Sequence, residues 1–253
     1  MISHQAEAVV LRTWPIHEAD QIVSLFTRDL GKIKGVAKSA ARSRRRFGGA
    51  LEPMTYVRAR YLERPKQELV RLDSFEIVRS PLSEPVDYAR AAALAFFAEI
   101  LEETLPDHDP QDHVFRLLLS VLEQTHVACI WMPVTYFALW VTRLMGWLPD
   151  LSHCLSCGVG LSGSPAYFHA GSDGLFCPAH ERLHGGHPGY GATLTPDSQR
   201  TAVRILRTPV AELAAEPWPR SRAADLRRFA IQSLERHLER RLTTAAALTR
   251  LGG

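Results

Sequence analysis

The first 80 residues of the chain contain short segments typical of β-strands, and in one of them hydrophobic and polar positions alternate. In the segment TYVRARY, Val57, Ala59 and Tyr61 fall on one face of a strand, and Arg58 and Arg60 fall on the other. Five segments of this kind are rich in valine, isoleucine, phenylalanine, tyrosine and threonine and are separated by proline, glycine or aspartate: 7–14, 20–28, 31–39, 55–63 and 68–78. Five short strands within about 75 residues predict a small closed barrel such as an OB-fold.

From residue 88 onward, apolar residues recur every three or four positions, as Leu94, Phe97 and Leu101 do. This spacing predicts helices over 88–105, 113–127, 131–147, 195–207 and 221–242. The fold class is therefore α+β: a five-stranded OB-fold barrel followed by a mainly helical domain that carries an irregular insert. The boundaries that we expect are 1–79 for the barrel, 80–149 for the first helical part, 150–190 for the insert and 191–253 for the second helical part.

The insert carries a pattern of metal ligands. Cys154 and Cys157 form C-x-x-C, nineteen residues follow, and Cys177 and His180 form C-x-x-H. Each half places two ligands on one tight turn, as a tetrahedral zinc site requires. The segment between the halves predicts a short hairpin, as in zinc ribbons. A redox pair and unliganded thiols are the alternatives, and the fourth ligand is open among nearby histidines although spacing favours His180: His153, His169, His184 and His187.

We expect this zinc to be structural, because four protein ligands leave no position for a reacting water. The sequence lacks the H-x-E and P-C-x-x-C pair of zinc deaminases. It also lacks the P-loop, the dinucleotide-binding G-x-G-x-x-G, G-x-S-x-G and H-E-x-x-H. The chain is therefore predicted not to be an enzyme, and no catalytic residue is assigned.

Charge is unevenly distributed along the 253 residues, although the net charge is only +3. Residues 1–79 hold fifteen lysines and arginines against nine acids, a net charge of +6, whereas residues 80–150 hold three against ten, a net charge of −7. A basic head of this kind favours a polyanionic partner. No signal peptide and no apolar run of about 18 residues is present, so we expect a cytoplasmic protein without a membrane span, and association with the nucleoid is expected only if the polyanion is DNA.

The positive charge of the head is concentrated in one stretch, which we call the basic segment: Lys32, Lys34, Lys38, Arg42, Arg44, Arg45 and Arg46. One interpretation is a solvated loop. The other is a phosphate-binding surface for nucleic acid, favoured by the absence of acids within the segment and by further basic residues nearby, at Arg58, Arg60, Arg64 and Lys66. In that interpretation bases stack on nearby aromatic rings, those of Phe47, Tyr56 and Tyr61. Gly48 and Gly49 then let the chain re-enter the sheet through a positive φ or a close backbone approach.

Residues 9–53 resemble the RecO family of DNA repair proteins. The resemblance lies in the order of Leu-Arg-Thr, Glu-x-Asp, Leu-Phe-Thr, Gly-Lys and Arg-Phe-Gly-Gly-Ala-Leu-Glu-Pro, and extends more loosely over the whole chain. It implies a recombination mediator that binds single- and double-stranded DNA, anneals complementary strands and helps RecA replace the single-stranded DNA-binding protein, SSB. The partners that it implies are RecR, RecF in some members, and the acidic C-terminal tail of SSB. It places the DNA contacts within the basic segment and the SSB tail on the helical domain, where Arg116 or Arg143 is a candidate contact.

Three other functions fit the residues. A zinc-ribbon module could bind RNA, a small metal-dependent nuclease could cut DNA in magnesium, and a scaffold could bind an acidic protein through its basic head. Relative affinity for RNA and DNA, cleavage in magnesium, and competition by DNA would distinguish these functions from a recombination mediator.

Overall fold

The structure is a computed structural model of the chain. It describes residues 2–16, 18–63, 67–126, 129–169, 171–184 and 191–251, with residues 182–184 described by their backbone. Two compact units are present, one formed by residues 1–122 with 246–253 and the other by residues 123–245. Within this described part of the chain, no helix is both long enough and apolar enough to cross a lipid bilayer.

Five strands form a closed barrel in the order β1-β2-β3-β5-β4, so the predicted OB-fold-like head is confirmed. Its neighbours are antiparallel except for β3 and β5, which pair in parallel through Gly35–Ala37 and Val70–Leu72. The strands are β1 (Ile2–Pro15), β2 (Gln21–Thr27), β3 (Gly31–Ala37), β4 (Tyr56–Glu63) and β5 (Val70–Arg79). All five overlap the predicted segments, which are rich in β-branched and aromatic residues, as strands usually are.

The inner face of the barrel is a continuous apolar core. Val57, Ala59 and Tyr61 point into it, as their spacing predicts, and each is at most 3% exposed. Closure depends on Gly35 in β3, where an added Cβ would lie 2.7 Å from Leu72 and 2.8 Å from Val70. A larger residue at this position would hold β3 away from β5, so the glycine is needed for the closing pair.

Two helices cover part of the outside of the barrel. They are α2 (Tyr88–Thr104), whose first turn is capped by the Asp87 carboxylate accepting from the Arg90 N–H, and α3 (Asp112–Glu123). Phe115 of α3 packs edge-on against Phe26 of β2, with 5.3 Å between ring centroids. Both phenylalanines are fully buried, so the outward face of β2 belongs to a second apolar layer.

The second unit is built around α4 (Trp131–Leu144), which is buried on nearly all sides as its composition predicts. The indole N–H of Trp140 donates to the Ile205 carbonyl, and Arg227 donates to the Thr135 hydroxyl. Its other elements are β6 (Ala166–His169), α5 (Pro178–His184), β7 (Gly191–Leu194), α6 (Pro196–Ile205), α7 (Val210–Ala214) and α8 (Ala224–His237). A further helix, α9, spans Thr243–Arg250.

The helix predictions hold best where a long apolar repeat is present. The predicted segment 221–242 is a shorter helix, because Ala223 and Glu239 adopt positive φ at its two ends. The predicted hairpin of the insert is only partly formed: Tyr167 and Phe176 exchange two backbone hydrogen bonds, but β6 pairs as a strand with β7. The four-part division of the chain remains a prediction.

Candidate nucleic-acid interface and metal centre

The basic segment continues directly from β3 and is anchored by one aromatic side chain. After a 3-10 turn at Ala40–Arg42, the short helix α1 (Arg44–Phe47) places Phe47 in the barrel core at 2% exposure. Its ring packs edge-on against Phe75 of β5, with 5.4 Å between centroids. Arg44 and Arg45 are exposed on the same short helix. The burial of Phe47 therefore fixes the turn that carries these arginines.

The two glycines after α1 have the roles that the sequence predicts. A Cβ on Gly48 would lie 2.4 Å from the carbonyl oxygen of Arg44, and Gly49 has a φ of +71°. The first glycine therefore allows a close backbone approach and the second a left-handed turn. Together they return the chain to the barrel immediately after the arginines.

Lys38, Arg44 and Arg45 form the exposed, unpaired part of the basic segment. Each is exposed, and none has a carboxylate partner among the residues that the structure describes. Arg42 is also exposed but lies 3.3 Å from Glu18, whose side chain is 91% exposed. An ion pair so open to water contributes little to stability, so its guanidinium can exchange partners readily.

Arg46 has a different role from its neighbours. Its guanidinium donates to the Lys38 carbonyl at 2.6 Å and to the Ser43 hydroxyl at 3.0 Å. It also lies over the Phe47 ring, 5.2 Å from the centroid. Arg46 therefore ties the two ends of the turn together and keeps only part of its surface in solvent.

Lys32 lies apart from the exposed cations. Its side chain is 9% exposed, donates to the Glu102 carbonyl at 2.7 Å and lies 3.4 Å from the Asp107 carboxylate. Lys34, one outward position further along β3, is 40% exposed and lies 4.0 Å from Glu102. The expectation that Lys32 contacts a nucleic acid therefore needs revision, since its ammonium is already bound inside the first unit.

The expectation of base stacking is wrong for two of the three aromatic rings, and the third has other partners. Phe47 and Tyr61 are buried in the barrel at 2% and 3% exposure. Tyr56 donates its hydroxyl to Glu7 at 2.7 Å and packs against Phe115 of α3. Burial raises the pKa of Tyr56 to about 12, and the hydrogen bond to Glu7 acts in the same direction. Phe47 and Tyr61 therefore belong to the barrel core, and Tyr56 packs against α3.

The additional basic residues of the head also differ from one another. Arg58 lies 3.3 Å from Glu76, whereas Arg60 is exposed without a carboxylate partner among the described residues. The predicted contributors Arg64 and Lys66 lie outside the described residues.

In the insert, the structure brings the four predicted metal ligands together. The ligand atoms of Cys154, Cys157, Cys177 and His180 all lie within 4.8 Å of one another. The Sγ atoms of Cys157 and Cys177 are 3.9 Å apart, and Cys177 Sγ lies 3.2 Å from the Nδ1 of His180. A tetrahedral zinc needs about 3.8 Å between sulfurs and about 3.5 Å between sulfur and nitrogen. The cluster can therefore hold a metal ion.

Local backbone geometry explains why these ligands converge. The Gly158 N–H donates to the Cys154 carbonyl and Cys154 donates to the Val159 carbonyl, which closes a tight turn with Gly158 at a φ of +71°. His180 lies on the first turn of α5, where its N–H donates to the Cys177 carbonyl. Burial raises the pKa of the Cys154 thiol, but backbone hydrogen bonds outweigh it and lower the value to about 6. A thiolate, the form that binds metal, is thereby favoured.

Two of the alternative histidines have other environments. His153 Nδ1 lies 2.7 Å from Asp150, and His169 packs beside Phe176 with 5.5 Å between rings. Neither belongs to the cluster. The side chain of His184 and all of His187 fall outside the described part of the chain.

Sequence reasoning missed the acidic side chains that occupy one side of the barrel. Glu102 accepts from the Ser24 hydroxyl at 2.6 Å and lies near Lys34, and Asp112 accepts from Arg28 at 2.9 Å. The strongly acidic charge of residues 80–150 is the signal that could have pointed to a contact with the basic head. The sequence does not show which cation each acid contacts, because the partners are far apart along the chain.

Comparison with known proteins gives matches along nearly the whole chain. The family model described as "Recombination protein O N terminal" matches residues 1–81, and "Recombination protein O C terminal" matches residues 85–246. A protein named DNA repair protein RecO from Koribacter versatilis (strain Ellin345) is 53% identical over 247 residues, which cover 98% of each chain. One of the same name from Anaeromyxobacter sp. (strain K) is 35% identical over 96% of this chain and 95% of its own. Another from Syntrophobacter fumaroxidans (strain DSM 10017 / MPOB) is 35% identical over 71% of this chain and 72% of its own.

Proposed function

Because the chain belongs to the RecO family of DNA repair proteins, we propose that it is a recombination mediator that binds single- and double-stranded DNA and anneals complementary strands. In this proposal it works with RecR, and in some settings with RecF, to promote loading of RecA onto SSB-coated DNA. It makes and breaks no covalent bond, so it is not an enzyme.

The observation that carries the proposal is the exposure of Lys38, Arg44 and Arg45 without carboxylate partners among the described residues. A solvated loop of mixed charge would hold acids near these cations, and the described residues place none in contact with them. Three fixed cations on one short turn offer a local positive surface to phosphate oxygens. We propose that Lys34 and Arg42 join them, because their own ion pairs are long or open to water.

Annealing follows from this surface by electrostatics alone. Two DNA strands repel each other, and cations that replace condensed counterions lower the cost of bringing the strands together. Contacts of this kind read the backbone and not the bases. Phe47 and Tyr61 are buried and cannot stack with bases, so the contacts proposed for the basic segment are to phosphates.

We place the SSB tail on the helical domain, where Arg143 is the better of the two candidate contacts. Arg116 lies 2.9 Å from Asp112, in the first unit, and is therefore already paired. Arg143 is exposed, lies over the Trp140 ring at 5.8 Å from its centroid and has no carboxylate partner among the described residues. A cation beside an indole suits a peptide that is both acidic and apolar. Holding SSB would raise the local concentration of this protein at the coated strand.

We propose that the metal held by Cys154, Cys157, Cys177 and His180 is zinc and that it is structural. Four protein ligands would complete a tetrahedral shell. Such an ion would tie the turn at residues 154–158 to the start of α5 and would thereby stabilise the insert.

The experiment that tests this function is annealing of complementary, SSB-coated DNA strands. A triple variant, Lys38→Ala with Arg44→Ala and Arg45→Ala, is expected to anneal at least tenfold more slowly than the parent, because phosphate contacts are lost. Arg200→Ala is a control, since this exposed arginine lies 3.2 Å from Asp197 in the second unit and is not part of the proposed surface. Equal annealing by the triple variant and the parent would reject the basic segment as the DNA contact.

A further inference from the structure

The outside of the barrel has one side that the described helices leave open. In the middle of β1 and on β2 the outward residues are covered, as the full burial of Val9 and Phe26 shows. On the end of β3, on β5 and on β4 the outward residues are exposed or half-buried. We call this surface the open face and define it by five outward residues: Lys34, Val36, Leu62, Arg60 and Arg71.

The register of the strands brings the cations of the open face into one row. Arg71 of β5 is paired with Val36 of β3, which lies between Lys34 and Lys38 in the sequence. On its other side Arg71 is paired with Leu62 of β4, two residues from Arg60. Since residues two apart in a strand point to the same side, Arg71 and Arg60 extend the row of cations from β3 across the sheet.

These cations are available to an outside ligand. Among the described residues neither Arg60 nor Arg71 has a carboxylate partner, and Lys34 has only the 4.0 Å contact with Glu102. Arg58, on the same side of β4, lies 3.3 Å from Glu76 and is paired in the register with Glu7 as well. The positive charge of the open face therefore lies on the side toward β3, next to the start of the basic segment.

We propose that the open face is a second DNA-contacting surface, on which Arg71 and Arg60 bind the backbone phosphates of a single strand that continues from the basic segment. This inference rests on the proposed DNA-binding function and extends it to residues outside the basic segment. The half-buried side chains of Val36 and Leu62 lie between the cations. They offer apolar contact to sugars and unstacked bases, which a single strand exposes and a duplex does not.

The test compares two single variants with the same change in net charge, Arg60→Ala and Arg58→Ala, and adds the double variant Arg60→Ala with Arg71→Ala. Binding of labelled oligothymidylate is measured by fluorescence anisotropy over a series of salt concentrations. Arg60→Ala is expected to weaken binding several-fold and to lower the magnitude of the salt slope by roughly 0.7, and the double variant by roughly 1.4. Arg58→Ala is expected to change both less, because Arg58 lies between two acids, Glu76 at 3.3 Å and Glu7 opposite it in the register, so the local surface there is not positive.

Urea unfolding of each variant, with Arg60→Gln and Arg71→Gln as milder replacements, separates lost contacts from lost structure. If Arg60→Ala and Arg58→Ala weaken binding equally, the loss of one positive charge explains both effects, and the inference is overturned. Normal binding by the double variant, together with weak binding by the Lys38, Arg44 and Arg45 triple variant, would reject the open face and leave the proposed function standing. Normal binding by the double variant and by the triple variant would reject both the open face and the basic segment as DNA contacts.

Discussion

Lys32 and Lys38 have the same side chain and lie six residues apart in one cationic stretch, yet their environments are opposite. Lys32 is buried and donates to the Glu102 carbonyl, whereas Lys38 is exposed without a carboxylate partner among the described residues. A buried ammonium with two partners stabilises the fold, and an exposed one without partners attracts anions. The same residue type therefore serves structure at one position and, in our proposal, function at the other.

Replacing the two lysines should separate these roles. Lys32→Met should lower the free energy of unfolding by about 1–3 kcal/mol, because the Glu102 carbonyl loses a charged donor. Lys38→Met should leave it unchanged within about 0.5 kcal/mol and should weaken DNA binding. Urea unfolding followed by circular dichroism measures the first effect, and oligothymidylate binding the second. A stable Lys32→Met protein that binds DNA weakly, beside an unstable Lys38→Met protein, would contradict both roles.

Alternation predicted the inward residues of the barrel but not which cations would be free. The pattern around Val57, Ala59 and Tyr61 specifies a buried face, because each residue in turn changes sides of the strand. The burial and pairing of Lys32 depend on Glu102 and Asp107, about 70 residues later in the chain. Long-range partners of this kind leave no periodic signal. The seven cations could therefore be found from the sequence, but which of them are exposed and unpaired could not.

At the scale of elements, a hydrogen-bonded network fastens α3 to the barrel. Arg28, immediately after β2, donates to Asp112 at 2.9 Å and to Glu7 at 3.2 Å, and Tyr56 of β4 donates to Glu7. The hydrogen bond from Arg28 lowers the pKa of Asp112, and the one from Tyr56 lowers the pKa of Glu7. Both carboxyl groups are therefore more acidic in the folded chain than their ordinary values of 3.8 and 4.5.

This network should make the first unit sensitive to acid. A lowered folded-state pKa gives stability that is complete above the ordinary values and is lost as the pH falls through the lower folded values. The free energy of unfolding should therefore decrease as the pH falls below about 4.5, and Arg28→Met should flatten that decrease. Urea titrations at several pH values measure it. An unchanged pH dependence in Arg28→Met would show that the network does not contribute.

The metal centre is the element that the sequence predicted most completely. Two C-x-x turns impose local geometry, so the spacing of Cys154, Cys157, Cys177 and His180 was enough to identify a cluster that the structure brings within 4.8 Å. The strand that pairs with β6 was missed, because β7 has only four residues and no long alternation. Short elements that depend on a distant partner are poorly marked in a sequence.

Removing one ligand should release the metal. Cys154→Ser is expected to lower bound zinc from one ion per chain to less than about a tenth of that and to promote aggregation, because metal binding and folding of such an insert are coupled. Cys129→Ser is the matched control, since this cysteine lies outside the cluster. Elemental analysis of purified protein measures the metal content. Full zinc content in Cys154→Ser would contradict the assignment of ligands.

For the first unit as a whole, the separation of charge along the chain becomes a separation in space. Acids of the helical part lie against one side of the barrel, where Glu102 and Asp107 contact lysines of β3 and Asp112 contacts Arg28 just after β2. The basic segment keeps Lys38, Arg44 and Arg45, and the open face keeps Arg60 and Arg71, without carboxylate partners among the described residues. A net charge of only +3 therefore does not describe the local surface that a DNA strand would meet.

The central claim is that this local surface works by neutralising phosphates, and the salt dependence of single-strand binding tests it most directly. Contact of the five basic-segment cations with phosphates predicts a slope of log affinity against log salt of roughly −3.5 for the parent chain, and added contacts from Arg60 and Arg71 would bring it to roughly −4.9. The triple variant Lys38→Ala, Arg44→Ala and Arg45→Ala should reduce the magnitude of that slope by roughly 2. A slope near zero in the parent, or the same slope in parent and triple variant, would contradict the account.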